Sequence, residues 1–119
     1  MTTRNEAVQT CLSLPFTYED HPFPDPNWTV IRHRENQKMF AAIFQREGRI
    51  WINVKVNPLT GDFWRQTSPA IVPAYHMNKT HWISIILDGS LEDGVIRQLI
   101  QESFDLTKKK ARKGTPPAE

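Results

Sequence analysis

The stretch YHMNKTHW, at residues 75–82, combines two histidines, a lysine, an asparagine and two aromatic residues just before the apolar run ISIIL. These residue types suit a metal site, an acid–base site or a contact with an anion. His76 and His81 are five residues apart, so neither a helix nor a strand points them in one direction. No cysteine or paired carboxylates stand nearby to complete a shell of four ligands. We therefore predict no metal site and no cofactor.

Nucleophilic catalysis finds no support in the chain either. The single cysteine, Cys11, lies on the apolar stripe of a predicted helix, and no Gly-x-Ser-x-Gly elbow or phosphate-binding glycine loop is present. Asp88 stands close in sequence to the two histidines, but its place in LDGS fits a turn before a helix. We predict that the protein is not an enzyme. One cysteine also fits a protein without internal disulfides in a reducing cytoplasm.

The segment RIWINVKV, at residues 49–56, reads as a strand whose side chains alternate between two faces. One row is predicted to face the core: Ile50, Ile52, Val54 and Val56. The other row is predicted to face away: Arg49, Trp51, Asn53 and Lys55. The preceding strand adds Phe40 and Phe44, or Met39 and Ile43, to the outer row, depending on whether the turn at Glu47-Gly48 has two or three residues.

Two interpretations of this outer row stay open. In the first, the proline-rich loop or a second copy of the protein covers it. In the second, it is an exposed platform on which aromatic rings stack with bases while cations neutralise phosphate, helped by basic hairpin tips. The predicted nucleic-acid contacts on the strands and tips are Arg32, Arg34, Lys38, Arg46, Arg49, Trp51 and Lys55.

The 75–82 stretch carries the same ambiguity. In one interpretation it is an irregular entry into a strand, where Asn78 and Thr80 bond backbone groups in a turn. In the other, four exposed side chains contact a phosphate or another anion: His76, Asn78, Lys79 and His81. Exposure of His76 and Lys79 is the feature that distinguishes the two.

The elements that must position these residues follow from periodicity and breakers. Thr3 and Glu6 form a capping box before a helix at about 4–13. The segment at 15–28 contains four prolines and is predicted to be an extended loop that packs down through its aromatics, Phe16, Tyr18 and Phe23. Three antiparallel strands follow at 28–33, 38–44 and 49–56, then a short helix at about 58–64 and strands at 71–74 and 82–87.

A last amphipathic helix is predicted to begin at a Ser90 cap and to cover the sheet with an apolar stripe. That stripe is Leu91, Val95, Ile96, Leu99, Ile100 and Phe104. Strands grouped between terminal helices predict an α+β fold in two layers, with helices packed on one side of an antiparallel sheet. We expect a single domain over residues 1–107, followed by a basic, flexible tail over 108–119 whose helix frays near Lys110.

Charge is divided unevenly along the chain. Residues 108–119 carry five basic groups and one acidic group, whereas residues 1–107 carry 10 basic and 12 acidic groups. The basic character therefore comes from the tail, and any binding argument must rest on local patches of the folded part. No apolar run is long enough for a membrane span, and the N-terminus has no signal-peptide pattern.

Short motifs along the chain are similar to those of a known family. They are CLSLP at 11–15, EDHPF at 19–23, KMFA at 38–41, NVKVNP at 53–58, PAYHMNKTHW at 73–82, LDGSL at 87–91 and SFDL at 103–106. Together they resemble the MmcQ/YjbR family over about residues 7–107. Two departures are Phe16, where glycine is common, and a longer loop around DPNW.

The resemblance implies a cytoplasmic bacterial protein with a CyaY-like or secretion-chaperone-like fold, in the order α-β-β-β-α-β-β-α. It also implies a "double wing" DNA-binding role, which is an analogy of fold. Our leading hypothesis is a non-enzymatic protein that contacts the phosphates of double-stranded DNA. The alternative is a protein-interaction or chaperone-like module, including a homodimer, that uses the same sheet face. Iron binding by analogy with CyaY is disfavoured, because the first helix lacks an acidic ridge.

Overall fold

The computed structural model describes residues 1–109 and contains three helices and six strands. The helices are α1 (Arg4–Leu12), α2 (Pro58–Thr67) and α3 (Asp93–Thr107). The strands are β1 (Thr17–Asp20), β2 (Thr29–His33), β3 (Met39–Arg46), β4 (Arg49–Lys55), β5 (Ile71–Pro73) and β6 (Trp82–Ile86). All neighbouring strands are antiparallel, in the order β1-β2-β3-β4-β6-β5. The α+β prediction is confirmed.

The first strand is the element that the sequence prediction missed. The tetrapeptide TYED lies between Pro15 and Pro22 and contains no proline of its own, so its amides are free to join a ladder. It pairs with β2 from Thr17 opposite His33 to Asp20 opposite Val30. The predicted loop is therefore correct only beyond Asp20, and β1 forms an edge of the sheet.

One face of the sheet, here called the core face, is covered by α1 and α3. The stripe of α1 buries Ala7, Val8 and Cys11, as predicted. The stripe of α3 packs on the same cluster through Ile96, Leu99, Ile100 and Phe104. The predicted row of β4 also faces this cluster, with Ile52, Val54 and Val56 buried and Ile50 packed against them. The apolar side chains that helical periodicity predicts and those that strand alternation predicts thus pack together on one side of the sheet.

The two terminal helices differ in how they begin. The predicted capping box is present in α1, where the Thr3 hydroxyl accepts from the Glu6 amide and Glu6 reaches back to the cap backbone. In α3 the N-cap is Glu92, and it makes no side-chain cap bond. The predicted Ser90 cap is wrong, because the Asp88 carboxylate accepts from both the amide and the hydroxyl of Ser90 in a turn.

A bulge in β3 decides which side chains reach the other face of the sheet, the outer face. Ile31 lies opposite Ala41, but Arg32 lies opposite Met39, so Phe40 is an extra residue. Its ring packs in the core, and its carbonyl accepts from the Ser103 hydroxyl of α3 at 2.6 Å. The outer face therefore receives Met39 from one predicted set and Phe44 from the other.

The β3–β4 turn has two residues, because Arg46 pairs directly with Arg49. Glu47 and Gly48 both adopt positive φ, at 52° and 75°, which matches a type I′ hairpin. The two-residue alternative is thus confirmed. A two-residue turn without the bulge would place both Phe40 and Phe44 on the outer face, but the bulge turns Phe40 into the core.

Helix α2 extends beyond the predicted 58–64. Asn57 caps it by accepting from the Leu59 amide, and Pro58 occupies the first turn. Gly61 is buried and lets the helix approach the sheet, since a Cβ there would lie 3.2 Å from Cγ2 of Val56. Leu59 and Phe63 remain exposed on its far side. At the other end of the chain, α3 ends at Thr107, and the predicted fraying at Lys110 lies outside the described residues.

Candidate functional site

Four aromatic side chains on the outer face form what we call the aromatic layer: Trp28, Phe44, Trp51 and Tyr75. Phe44 and Trp51 are direct cross-strand partners, which places both rings on this face. Trp28 stacks on Phe44 with centroids 4.3 Å apart, and Tyr75 stacks on Phe44 at 5.6 Å. Residues far apart in sequence thus build one continuous apolar layer.

Arg46 closes the layer from the side of the β3–β4 turn. Its guanidinium lies 4.4 Å from the centre of the Tyr75 ring and 4.9 Å from that of Trp51. Trp51 is only 6% exposed, and its indole Nε1 has no hydrogen-bond partner among residues 1–109. The expectation of an exposed stacking platform at Trp51 is therefore wrong. Arg46 is occupied by the same rings and by an ion pair with Glu47.

Tyr75 is held in place through its backbone by two buried polar side chains. Asn53 donates through Nδ2 to the Tyr75 carbonyl at 2.9 Å, and the Tyr75 amide donates to the Ser84 hydroxyl at 2.9 Å. The Ser84 hydroxyl in turn donates to Oδ1 of Asn53. Both side chains are fully buried. The outward position predicted for Asn53 is thus used to clamp the loop that covers the sheet.

The rest of the 75–82 stretch contains both the predicted turn and the predicted exposed side chains. Oδ1 of Asn78 accepts from the amides of Thr80 and His81, so Asn78 organises the turn before β6. Lys79 donates through Nζ to the Ala74 carbonyl at 2.7 Å. His76 and Lys79 are exposed, and His76 adopts a φ of 61°. Asn78 therefore has a structural role, while His76 is presented to solvent from a constrained backbone.

The proline-rich loop is fixed over the outer face at its C-terminal end. Arg4 of α1 donates through Nη1 to the Asn27 carbonyl at 2.8 Å and to the Ile43 carbonyl at 3.2 Å. Asn27 also bonds both backbone groups of Gln45. These contacts hold Trp28 against Phe44. The loop was predicted to pack down through its aromatics, but Phe16 is 71% exposed, and Phe23 is 51% exposed although it meets Trp28 edge to face.

A groove of about 390 Å³ opens where this loop and the 76–77 segment meet over β3. Its lining is Phe23, Pro24, Asp25, Trp28, Met39, Ala42, His76 and Met77. Most of these side chains are apolar, and two are methionines, whose flexible thioethers adapt to different shapes. An apolar concavity with a few polar groups at its edge is the usual form of a binding site.

The predicted basic residues do not converge on this groove. Arg34 and Lys38 are exposed at the β2–β3 turn, whereas Arg49 is exposed at the β3–β4 turn. These turns lie at opposite ends of β3, which has eight residues, so they are separated by roughly 25 Å. Lys55 is half-buried at the far end of β4 from Arg49. The predicted row of cations is therefore interrupted by the aromatic layer.

Other predicted contacts are engaged within the fold. Arg32 pairs through Nε with Asp20 at 2.7 Å and donates to the Gln37 carbonyl at 2.9 Å. The Arg34 guanidinium lies 5.4 Å from the centre of the Tyr18 ring. His81 is exposed beside the Asn78 turn. Of the predicted site residues, only His76 lines the groove.

The sequence did not reveal that four residues would lie together in the groove: Phe23, Trp28, Met39 and Met77. The signal available was the density of aromatics in the 15–28 segment, which predicted packing but not its location. Met39 was weighed as an outward residue, yet the bulge that places it there has no marker in the sequence. The two walls of the groove are about 50 residues apart in the chain, so only the tertiary fold unites them.

The Cys11 thiol lies buried in the core. Burial raises the pKa of the Cys11 thiol to about 12, which keeps it protonated and unreactive at neutral pH. Within residues 1–109, no group of three or more His, Cys, Asp or Glu side chains is placed to hold a metal ion. No helix in the same part of the chain is long and apolar enough to cross a membrane.

Comparison with known proteins identifies the family of this chain. The model of the family described as YjbR matches residues 12–106, most of the sequence. The chain belongs to the YjbR family. The resemblance to MmcQ/YjbR proteins is thereby confirmed.

Two relatives and two structures illustrate the similarity. The uncharacterized protein YyaQ of Bacillus subtilis is 35% identical, covering 91% of this chain and 100% of that protein. The uncharacterized protein YjbR of Escherichia coli K12 is 28% identical over 86% of this chain and 84% of its own. The crystal structure of Deinococcus radiodurans protein DR2400 superposes with a TM-score of 0.82 at 31% identity, covering 100% of this chain and 86% of its own. A Pseudomonas syringae crystal structure gives 0.78 at 33% identity, with 89% and 99% covered.

Proposed function

We propose that this YjbR-family protein is a non-enzymatic protein-interaction module that binds a segment of a partner protein in the groove on its outer face. The observation that carries the proposal is the groove itself, an apolar concavity of about 390 Å³ that stays open beside the aromatic layer. A preformed apolar concavity at the surface of a small domain marks a contact site. The module hypothesis was the alternative interpretation of the sequence.

The walls of the groove are already ordered, which favours binding. Arg4 and Asn27 hold the loop that carries Trp28, and Asn53 and Ser84 hold the segment that leads into His76 and Met77. A partner would therefore meet rigid aromatic surface and lose little free energy to reorganisation. The two methionines add surface that adapts to the partner's shape.

The test is selection of displayed random peptides on the parent protein, followed by affinity measurement on two matched variants. Met77→Asn replaces an apolar side chain of the groove by a neutral polar one at a half-buried position, whereas Leu59→Asn makes the same kind of change on exposed α2. We expect selected peptides to bind the parent and Leu59→Asn equally, and Met77→Asn at least about tenfold more weakly. Peptides that bind all three proteins equally would contradict the proposal.

The same variants examine whether a second copy is the occupant. If the groove joins two copies, light scattering of the parent will report a dimer that Met77→Asn converts to a monomer and Leu59→Asn does not. A parent that stays monomeric while binding selected peptides favours a different partner. A dimer that survives Met77→Asn would place self-association elsewhere on the surface.

DNA binding, our leading hypothesis from sequence, is kept as a second candidate because Arg34, Lys38 and Arg49 are exposed at the hairpin tips. The tips lie at opposite ends of the sheet, so each would contact phosphates separately. We expect Arg34→Ala with Lys38→Ala, and Arg49→Ala with Lys55→Ala, each to lower the salt slope of duplex binding by about 1–2 units.

A chain truncated after residue 107 is the control for the basic tail. If only the truncation abolishes binding, the tips have no role in it. No detectable binding of the parent at about 50 mM salt would end the DNA hypothesis altogether.

A further inference from the structure

The groove is electrostatically one-sided. Asp25 is the one lining residue with a carboxylate, and no lysine or arginine is among the eight. The Asp25 carboxylate is fixed in position because its Oδ1 accepts from the Asn27 amide at 2.9 Å. Its Oδ2 has no protein partner among residues 1–109. A carboxylate at the edge of an apolar groove favours a ligand that carries a positive charge.

The rings beside Asp25 favour the same charge. Phe23 and Trp28 meet at 78° with centroids 6.4 Å apart, which makes a corner of two aromatic surfaces. Aromatic faces attract cations through their quadrupole, and tryptophan does so most strongly. The protein's own aromatic residues already use this contact, because Arg46 lies over Tyr75 and Trp51 and Arg34 lies over Tyr18. In all three contacts the cation is a guanidinium.

We infer that the partner segment inserts an arginine side chain into the groove, with its guanidinium on the Trp28 ring and beside the Asp25 carboxylate. This inference rests on the proposed function and specifies the chemistry of its partner. The apolar stem of the arginine and the residues flanking it contact Met39 and Met77. A guanidinium suits the site better than a lysine ammonium, because it is planar, is more weakly hydrated and stacks on aromatic faces.

The experiment uses two small probes that differ only in charge. N-acetyl-arginine methylamide carries the guanidinium, and N-acetyl-citrulline methylamide replaces it with a neutral urea of similar shape. Each is titrated at millimolar concentration into the full chain near pH 7.5, and binding is followed through the methyl signals of Met39 and Met77 and the indole signal of Trp28. The arginine probe should bind about fivefold more tightly than the citrulline probe.

Two isosteric variants separate Asp25 from general electrostatics. Asp25→Asn keeps the oxygen that accepts from Asn27 and removes the charge, and we expect it to abolish the preference for the arginine probe. Glu92→Gln removes one exposed carboxylate at the start of α3, on the core-face side, and should leave the preference unchanged. Thermal unfolding of both variants should match that of the parent, since both side chains are exposed.

Equal binding of the two probes, or a preference that survives Asp25→Asn, would overturn the arginine inference while leaving the groove as a binding site. Absence of groove shifts with both probes would also overturn it. Neither result decides the proposed function, which the peptide selection tests independently. Peptides that bind through the groove without enrichment of arginine would mean that the module stands and its assigned partner chemistry is wrong.

Discussion

The two faces of the sheet in this YjbR-family protein are closed in different ways. The core face carries aliphatic residues such as Ile52, Ile83 and Ile85, and helices α1 and α3 pack over it. The outer face carries the aromatic layer and is covered by loops and by the Arg46 side chain. A helix lays a continuous stripe on a sheet, whereas two loops meet at a seam. At that seam the groove remains.

The contrast teaches that a covered face can still provide a site. Trp51 and Phe44 are buried and stabilise the fold, while the half-buried Trp28 and Met77 line the groove and remain accessible. The polar side chains of the outer face also fall into a buried set and an exposed set. Asn53 and Ser84 are buried and bond to the backbone, and Asp25 and His76 are exposed at the groove. Four predictions follow from the comparison, in decreasing order of expected effect.

The core face should be the more sensitive to loss of volume. Ile52→Ala removes a fully buried side chain between the sheet and its helices, and we expect it to lower the free energy of unfolding by about 3 kcal/mol. Leu59→Ala, at a position 78% exposed, should change it by less than about 0.5 kcal/mol. Urea denaturation of both variants checks this. A loss below about 1 kcal/mol for Ile52→Ala would mean that the core face repacks.

The outer face should instead be sensitive to loss of its polar clamp. Asn53→Ala leaves the buried Ser84 hydroxyl and the Tyr75 carbonyl without their partner, and we expect a loss of about 2 kcal/mol. Amide exchange at Tyr75 should accelerate beyond the global change, because the loop is released locally. Exchange at Ile52, in the centre of β4, is the internal reference. Parent-like exchange at Tyr75 would show that the aromatic rings alone hold the loop.

A pH effect is expected on the core face. His33 lies between Phe40 and Phe104, with ring centroids 5.1 and 4.6 Å away, and its Nε2 is 2.8 Å from the Thr107 hydroxyl. Burial lowers the pKa of His33 below its ordinary value of 6.5, and the Phe104 backbone and Glu35 oppose that shift. The unfolded chain then binds the proton more readily than the folded chain. Stability should therefore be complete above pH 6.5 and decline as the pH falls below it.

Urea midpoints at about pH 7.5 and about pH 5.5 measure this decline. His33→Gln should flatten the difference, because no titrating group then remains at the site. Hydrogen bonds lower the pKa of Glu6 and of Asp88, whose contributions are lost only in more acidic solution, below their ordinary values of 4.5 and 3.8. An equal decline in parent and His33→Gln would assign the effect to other groups.

The smallest effect is expected at the edge of the sheet that β1 forms. Phe16 precedes β1 with a φ of 55° and is 71% exposed, so its side chain adds backbone strain with little burial. Phe16→Gly should raise the free energy of unfolding by about 0.5 kcal/mol, the relief of strain being partly offset by the greater freedom of glycine when unfolded. Phe16→Ala keeps the Cβ and should gain nothing. Thermal unfolding of both variants distinguishes strain from exposure.

Much of the core face could be predicted from the sequence, because its signals are local. The Thr3 and Glu6 box, the period-two row of β4 and the period-3.6 stripe of α3 each report their burial within one element. The two wrong predictions concern segments whose sequence fits two local structures equally well. Ser90 fits a turn as well as a cap, and TYED is short enough to be taken for part of a loop.

The candidate site could be predicted only in fragments. His76 was identified from its chemical type, but the cations predicted beside it lie at separate ends of the sheet or are engaged with rings and carbonyls. Trp51 was correctly predicted to lie on the outer face but wrongly expected to be exposed. Alternation along a strand shows to which face a side chain points, but it does not show what covers that face. Phe23 carried no periodic signal, because its loop is ordered by Arg4 and Gln45, which are distant in the chain. Trp28 stands at the start of the predicted strand 28–33, but alternation there does not reveal that its ring stacks on Phe44.

The sequence by itself determined the family, the α+β class, the inward row of β4 and the faces of α1 and α3, because each depends on motifs or periods within one segment. Only the tertiary structure decided that Phe40 turns inward at a bulge, that Trp28 and Tyr75 close over Phe44, and that a groove remains beside Trp28. Those outcomes depend on hydrogen bonds and ring contacts between residues many positions apart. Their free energy exists only once the chain has brought the segments together.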